Sequence, residues 1–186
     1  VAICDSGFDY THPMLGGGGF PNAKIIGGYD FGSNDADPMH QGEAHGTATA
    51  GIAGGSLGSV GDYIGGVAHG CALYGLKISV GMGGPLTNAA LAAWDWCVTN
   101  RDNDPANPIK AISNSWGGYM FNNPAAADQF SPAFAAAADR AVAAGITILA
   151  ASGNNGFTNG ISWPAAMSKV VSVGAVYDTT DQVAPY

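Results

Sequence analysis

The sequence is short of charged residues, and of basic ones above all. Lysine and arginine number 6 against 14 aspartates and glutamates, so the net charge is −8, and the four types together make up 11% of the 186 residues. Nucleic acids and anionic membrane surfaces are bound by clustered lysine and arginine side chains. The charge balance therefore argues against both as partners.

Long apolar runs and phosphate-binding glycine motifs are also missing. No stretch approaches the roughly 20 apolar residues of a transmembrane helix. No signal peptide is recognisable, and because the chain opens directly in an apolar run, we expect the natural N-terminus to lie upstream. Neither Gly-x-Gly-x-x-Gly after the first strand nor a Walker loop occurs, which disfavours a nucleotide-binding α/β protein.

Cysteine is scarce and odd in number, with Cys4, Cys71 and Cys97. The simpler interpretation is three small buried residues without a chemical role. A Cys71–Cys97 disulfide is the alternative, which sequence alone does not decide because a bridge depends on geometry.

Apolar residues, by contrast, are abundant at 47% of the chain, enough for one domain with a substantial core over residues 1–186. Helices are predicted at His45–Ala53, Thr87–Val98 and Ser131–Ala144, with Thr87 and Ser131 as capping residues and Gly145 ending the last helix. Strands are predicted at Val1–Asp5, Lys24–Phe31, Leu73–Ser79, Ile109–Ser115, Ile146–Ala151 and Val170–Val176.

Several of these strands lack an in-and-out alternation of apolar and polar residues. Continuous apolar strands are typical of a parallel sheet that is covered on both faces. Because strands and helices alternate along the chain, we predict a doubly wound α/β fold, with a mostly parallel sheet and helices on both faces.

Polar residues follow several of the predicted strands, and they mark a candidate site. Asp5, Ser115 and Asn154 come at strand ends, and His45 opens a helix. Ligands of such sheets bind beyond the carboxyl ends of the strands, so these residues are expected to gather at one edge. Each has an ordinary alternative, since aspartate and asparagine are common turn residues and a single histidine is usually structural.

The chemistry of the three strongest candidates is complementary. A carboxylate such as Asp5 can hold the tautomer of an imidazole such as His45, and the Asn154 amide can donate to a developing oxyanion. The other histidines have no comparable setting, and no spacing of histidines and acids is typical of a metal site.

In this order along the chain, the motifs resemble those of a known family, the subtilisin-like serine proteases or subtilases. Val1–Gly7 is similar to the family's acid motif, and His45-Gly46-Thr47 to its histidine motif, although many members have a second histidine where this chain has Ala48. Asn154 is similar to the oxyanion-hole asparagine. The order of acid and histidine also agrees with that of subtilisins.

The resemblance also implies where substrate binds. Residues 113–118 look like the strand that pairs with the substrate backbone and walls the pocket for the residue before the cut. It therefore implies substrate contacts by Ser115, Trp116, Gly117 and Gly118, and by Ser152 and Gly153 before the asparagine. Trp116 is the bulky candidate for the pocket wall, with core packing as the alternative.

The departure from the family concerns the nucleophile. The family's serine lies in a Gly-Thr-Ser-x-Ala motif, which is absent here, and Ser6, Ser115 and Ser152 lie in other contexts. We therefore expect the nucleophile beyond Tyr186, and an incomplete peptidase domain in 1–186 with little or no hydrolytic activity of its own. The alternative is a non-catalytic peptide-binding module that kept the groove and lost the serine.

The family resemblance carries further expectations. It implies a serine endopeptidase acting on an extended polypeptide, secretion, a propeptide or inhibitor as a further partner, and no cofactor for catalysis. It also implies a cis Trp163–Pro164 bond. Structural calcium is common in the family, and the carboxylates in loop-like segments are Asp30, Asp35, Asp37, Glu43 and Asp62, although plain solvated acids are the simpler interpretation and no metal site is assigned.

Overall fold

A six-stranded parallel sheet forms the centre of the computed structural model, which describes residues 1–58 and 62–177. The strands are β1 (Ala2–Asp5), β2 (Ile25–Asp30), β3 (Leu73–Lys77), β4 (Ala111–Asn114), β5 (Gly118–Phe121), β6 (Thr147–Ala151), β7 (Ile161–Trp163) and β8 (Val170–Val173). The large sheet has the order β2-β3-β1-β4-β6-β8, all parallel, and β5 and β7 form a separate antiparallel pair. The predicted fold class is confirmed.

The described helices are α1 (His45–Gly54), α2 (Thr87–Thr99), α3 (Pro124–Phe130) and α4 (Pro132–Ala143). Successive residues of β1 point to opposite faces of the sheet and enter two separate cores. Ala2 and Cys4 pack in the core that contains α2 and α4, whereas Ile3 packs in the core that contains Ala50 of α1. Both faces of the central strand are thus covered, which explains why its sequence is apolar without alternation.

The ends of the helices differ in part from the prediction. Thr87 is the first helical residue of α2 rather than its cap, and Leu86 occupies the cap position without a side-chain hydrogen bond. Ser131 does occupy the cap of α4, but its side chain makes no capping bond. Gly145 follows α4 with a φ of 74°, the left-handed conformation that glycine tolerates, as predicted.

Two predictions about covalent structure are settled. All three cysteines are free, so the Cys71–Cys97 disulfide is wrong as an alternative. Burial of Cys97 inside the α2–α4 core leaves it as a small apolar residue, the simpler interpretation given above. The Trp163–Pro164 bond is cis, as the family resemblance implied. No helix in the described part of the chain combines the length and apolar character that crossing a membrane requires.

Candidate active site

Asp5 lies at the carboxyl end of the central strand, and three donors converge on its carboxylate. The side chain is only 4% exposed. Its Oδ1 accepts the Ser6 backbone N–H at 2.7 Å and lies 2.7 Å from Nδ1 of His45, while Oδ2 accepts the Thr49 hydroxyl at 3.1 Å. The contact between Asp5 and His45, expected from their sequence motifs, is therefore present.

The start of α1 is fixed closely against the turn that follows β1. A Cβ atom on Gly46 would lie 2.3 Å from the backbone oxygen of Gly7, so only glycine permits this approach. The free amides of the first helical turn also find acceptors. The Gly46 N–H donates to Ser6 Oγ at 3.0 Å, and the His45 N–H donates to Glu43 Oε1 at 2.9 Å. These contacts position the imidazole beside Asp5.

His45 is the half-exposed member of the pair, with 50% of its side chain accessible to solvent. When Nδ1 carries the proton that is donated to Asp5, Nε2 is an acceptor. The imidazole lies on the wall of a cleft, so Nε2 is available to a group that enters there. A carboxylate-oriented imidazole of this kind can act as a general base.

The cleft beside His45 has a volume of about 270 Å³. It runs between the start of α1, the loop after β3 and the end of β4. Its lining residues are Asp5, Ser6, Glu43, His45, Ile78, Ser79, Met82, Gly83, Gly84, Pro85, Ser115 and Trp116. One wall, formed by residues 83–85, is rich in backbone groups because it consists of two glycines and a proline. Such a wall suits an extended chain better than a compact ligand.

Two of the predicted substrate-binding residues line this cleft, and two lie beside it. Ser115, Trp116 and Gly117 lie between β4 and β5 and belong to neither strand. Gly118 begins β5 and pairs with Trp163 of β7, so it already belongs to a β-sheet within this chain. The predicted strand Ile109–Ser115 is shorter in the structure, since β4 ends at Asn114 and the chain leaves the large sheet there. The pairing of residues 113–118 with a substrate backbone stays a prediction.

Trp116 contacts both the cleft and the core. Its ring lies 6.0 Å from the ring of Trp163 and 6.4 Å from that of Phe134, measured between centroids. The side chain is half-buried, so it packs against the core and also lines the cleft. The two roles expected as alternatives are therefore combined in one residue.

Ser152, Gly153 and Asn154 form the turn after β6. Gly153 has a φ of 109°, and a Cβ there would lie 2.1 Å from Ser162 Oγ, so the turn requires glycine. Asn154 is exposed at this turn and is not among the residues that line the cleft. Because β4 lies between β1 and β6, about 10 Å of sheet separates the strand ends that carry Asp5 and Asn154.

Of the three serines that line the cleft, Ser6 and Ser79 have hydroxyl groups that hydrogen-bond to partners other than His45. Ser6 Oγ accepts from the amide of Gly46, and Ser79 Oγ donates to the backbone oxygen of Ser6 at 3.1 Å. Within residues 1–58 and 62–177, no serine side chain hydrogen-bonds to the His45 imidazole. The geometry thus provides an acid and a base, without assigning a nucleophile.

Several residues of this region were missed by sequence reasoning. Thr49 and Glu43 contact the Asp5–His45 pair through side chains that carry no motif of their own. Lys77 ends β3 and forms an ion pair with Asp30, with Nζ 2.6 Å from Oδ2 and both side chains at most 1% exposed. A single lysine in the apolar run 73–79 was the available signal, because a buried ammonium requires a partner.

The ion pair changes the interpretation of the acidic residues. Asp30 was expected in a solvated loop, but its two carboxylate oxygens bind Lys77 and the Ser33 amide. No group of three histidine, cysteine or acidic side chains that could hold a metal occurs among the described residues. Structural calcium stays a prediction without a location.

Comparisons with known proteins show which family and which relatives this chain resembles. A family model described as the subtilase family matches residues 1–186. Subtilisin of Bacillus pumilus is 31% identical over 179 residues, covering 95% of this chain and 56% of that protein. The thermophilic serine proteinase of Bacillus sp. (strain AK1) is 33% identical over 189 residues, covering 100% of this chain and 40% of that protein.

Solved structures resemble this chain as well. Sphericase superimposes with a TM-score of 0.75 at 23% identity, over 100% of this chain and 58% of that one, a likeness that shows the shared fold. The chain spans between 40% and 56% of the length of the two relatives compared above.

Proposed function

The chain belongs to the subtilase family, and from that premise we propose that it supplies the acid and the general base of a serine endopeptidase. The observation that carries the proposal is the 2.7 Å contact between the buried Asp5 carboxylate and the half-exposed His45 imidazole at the wall of a cleft. A structural ion pair would not need its histidine open to a groove.

The mechanism assigns one role to each group. His45 Nε2 accepts the proton of a serine hydroxyl as the serine oxygen bonds to the peptide carbonyl carbon, and it returns that proton to the amine as the C–N bond breaks. Asp5 orients the imidazole and stabilises the imidazolium. Asn154 donates an amide N–H to the oxyanion. The serine comes from a Gly-Thr-Ser-x-Ala segment that these 186 residues do not contain.

The proposed substrate is an extended polypeptide that lies along residues 115–117. These residues belong to no strand of the described chain, so backbone groups there are free to pair with a substrate. The part of the cleft wall formed by Gly83, Gly84 and Pro85 exposes backbone groups, which favours main-chain recognition. Secretion, control by a propeptide or inhibitor, and stabilisation by calcium are further parts of this proposal, and they rest on the family.

The test uses a labelled fluorophosphonate, which reacts with activated serines. We expect it to leave the 186-residue chain unmodified and to label the gene product that contains these residues, at a serine of the motif named above. His45→Ala and Asp5→Asn are expected to abolish labelling of that product, whereas His69→Ala, at an exposed position outside the cleft, leaves it intact.

Labelling of the 186-residue chain would show that one of its own serines is the nucleophile and would overturn the assignment. A gene product that is never labelled, and that binds peptides without hydrolysing them, would favour the peptide-binding module instead.

A further inference from the structure

The cleft beside His45 is acidic, and the carboxylate of Glu43 contacts the backbone of His45 rather than its imidazole ring. The charged residues among those that line it are Asp5 and Glu43, with no lysine or arginine. Asp5 is buried and committed to His45, Ser6 and Thr49. Glu43 is half-exposed, so its charge faces whatever enters the cleft.

Glu43 is held in place by the helix that it precedes. Its Oε1 accepts the backbone N–H of His45 at 2.9 Å, and its backbone oxygen lies 3.5 Å from Ser6 Oγ. This contact fixes one carboxylate oxygen and leaves the negative charge at the wall of the groove. A carboxylate that is already oriented loses little side-chain freedom when it binds a cation.

The opposite rim provides an apolar surface at short range. Met82 is 77% exposed and lines the same cleft, and its Sδ would lie 3.2 Å from a Cβ atom on Gly42, next to Glu43 in the chain. The Gln41 side chain accepts the Gly81 amide at 2.9 Å and ties the two rims together. A thioether beside a carboxylate matches the two parts of a lysine or arginine side chain, an apolar stem and a charged end.

From this arrangement we infer that the cleft selects polypeptide substrates with a lysine or arginine at one position, whose stem packs on Met82 and whose cation pairs with Glu43. The inference rests on the proposed function and adds the class of substrate to it. The overall charge of −8 acts in the same direction, because it attracts basic segments over distances of about 10 Å at ordinary salt.

The experiment measures binding and therefore needs no nucleophile. Two sets of blocked alanine tetrapeptides are compared, one with a single lysine and one with a single norleucine of similar stem length, placed at each of the four positions in turn. Each peptide is titrated into the isotopically labelled chain. The shifts of the backbone amide signals of Glu43, His45 and Met82 give the dissociation constants. At one position we expect the lysine peptide to bind about fivefold more tightly than the norleucine peptide, as for a partly exposed ion pair.

Two variants isolate the charge of Glu43. Glu43→Gln keeps an oxygen that can accept the His45 amide, so the helix start is preserved and only the charge is lost. It is expected to abolish the preference for lysine, as is 0.5 M salt in the original chain. Asp139→Asn removes one charge on α4, outside the cleft, and is expected to keep the preference.

Equal binding of lysine and norleucine peptides at every position would overturn the inference and leave the proposed peptide binding intact. A preference that survives in Glu43→Gln would also overturn it. If no peptide shifts the cleft amides, both the inference and the proposed substrate class are wrong.

Discussion

At the scale of single residues, the Asp5 carboxylate is the most heavily engaged group of the site. Its Oδ1 has two donors, Ser6 N and His45 Nδ1, whereas its Oδ2 has one donor, the Thr49 hydroxyl. Thr49 Oγ1 is also 3.1 Å from the Gly46 backbone oxygen, so its single proton has two candidate acceptors. Which acceptor it serves decides whether Thr49 is a positioning residue for Asp5.

We predict that Thr49 serves Asp5, so that Thr49→Val destabilises the fold by about 1–2 kcal/mol through a buried carboxylate oxygen without a donor. Urea unfolding measures this loss, and the low-field proton signal of the imidazole N–H shared with Asp5 is expected to shift. Thr49→Ser keeps the hydroxyl and serves as the matched control. An unchanged imidazole signal in Thr49→Val would mean that the proton goes to Gly46.

The cysteines provide a second prediction at this scale. Burial raises the pKa of the Cys4 thiol and of the Cys97 thiol above their ordinary value, so both stay protonated and shielded at pH 8, where only a thiolate reacts with a disulfide reagent. Cys71 is half-buried. We expect a disulfide reagent at pH 8 to modify one thiol per folded chain and three in urea.

The control for that titration is Cys71→Ser, which should leave no fast-reacting thiol in the folded chain. Rapid modification of two or three thiols before unfolding would contradict the buried positions of Cys4 and Cys97.

At the scale of secondary-structure elements, a buried ion pair joins the strands behind the site. Lys77 of β3 is in register with Asp30 of β2 on one side and with Asp5 of β1 on the other. Its ammonium bonds to Asp30, and both side chains are at most 1% exposed. If one of the two residues were removed, the other would be a buried charge without a partner. The resulting loss in the free energy of unfolding would exceed what the intact pair contributes to it.

We therefore predict that the effects of mutating Lys77 and Asp30 on the free energy of unfolding are strongly non-additive. Lys77→Met should lower the free energy of unfolding by about 3–5 kcal/mol because it leaves Asp30 buried and unpaired. Adding Asp30→Leu to Lys77→Met should recover part of that loss, since neither charge then remains. Urea unfolding of the two single variants and the double variant measures the coupling, and a double variant that loses the sum of the single losses would refute it.

The elements also show what the sequence could predict. Two features could be predicted from short stretches of sequence: strands β1 and β3, from their apolar runs, and the end of α4, from the glycine that follows it. Burial on both faces requires apolar residues in the strand itself, and a positive φ favours glycine at that position. The contact of Asp5 with His45 followed from sheet geometry and the family motifs. The contacts of Thr49 and Glu43 with the Asp5–His45 pair could not be predicted from the sequence, because they depend on how α1 packs against the turn after β1.

Helix α3 and the β5–β7 pair were missed for a different reason. The Asn123 side chain accepts the Ala126 amide and Pro124 occupies the first helical turn, so the start signal of α3 was present in the sequence. Its seven residues are too few to show a helical period. The β5–β7 pair joins residues about 40 apart in the chain and has three residues in its shorter strand, so only tertiary structure reveals it.

At the scale of the whole molecule, the two edges of the sheet differ in what covers them. β2, at one edge, begins and ends with a buried residue and is half-buried between them, whereas β8, the last strand of the described sheet, is exposed over most of its length. Val171 and Val173 are 49% and 47% exposed. Among the described residues, no strand pairs with the outer edge of β8, and such an edge with exposed valines is a template for pairing with another chain. The mutual repulsion of molecules that carry a charge of −8 opposes this pairing.

This balance predicts that the 186-residue chain self-associates through β8 and does so more strongly as salt screens the repulsion. Val171→Lys places a charge on the exposed edge and should lower the association constant about tenfold or more, because edge lysines oppose strand pairing. Val142→Lys, an equally apolar and exposed change on α4, is the matched control and should have little effect. Sedimentation velocity at two salt concentrations measures both, and equal effects of the two variants would place the contact elsewhere on the surface.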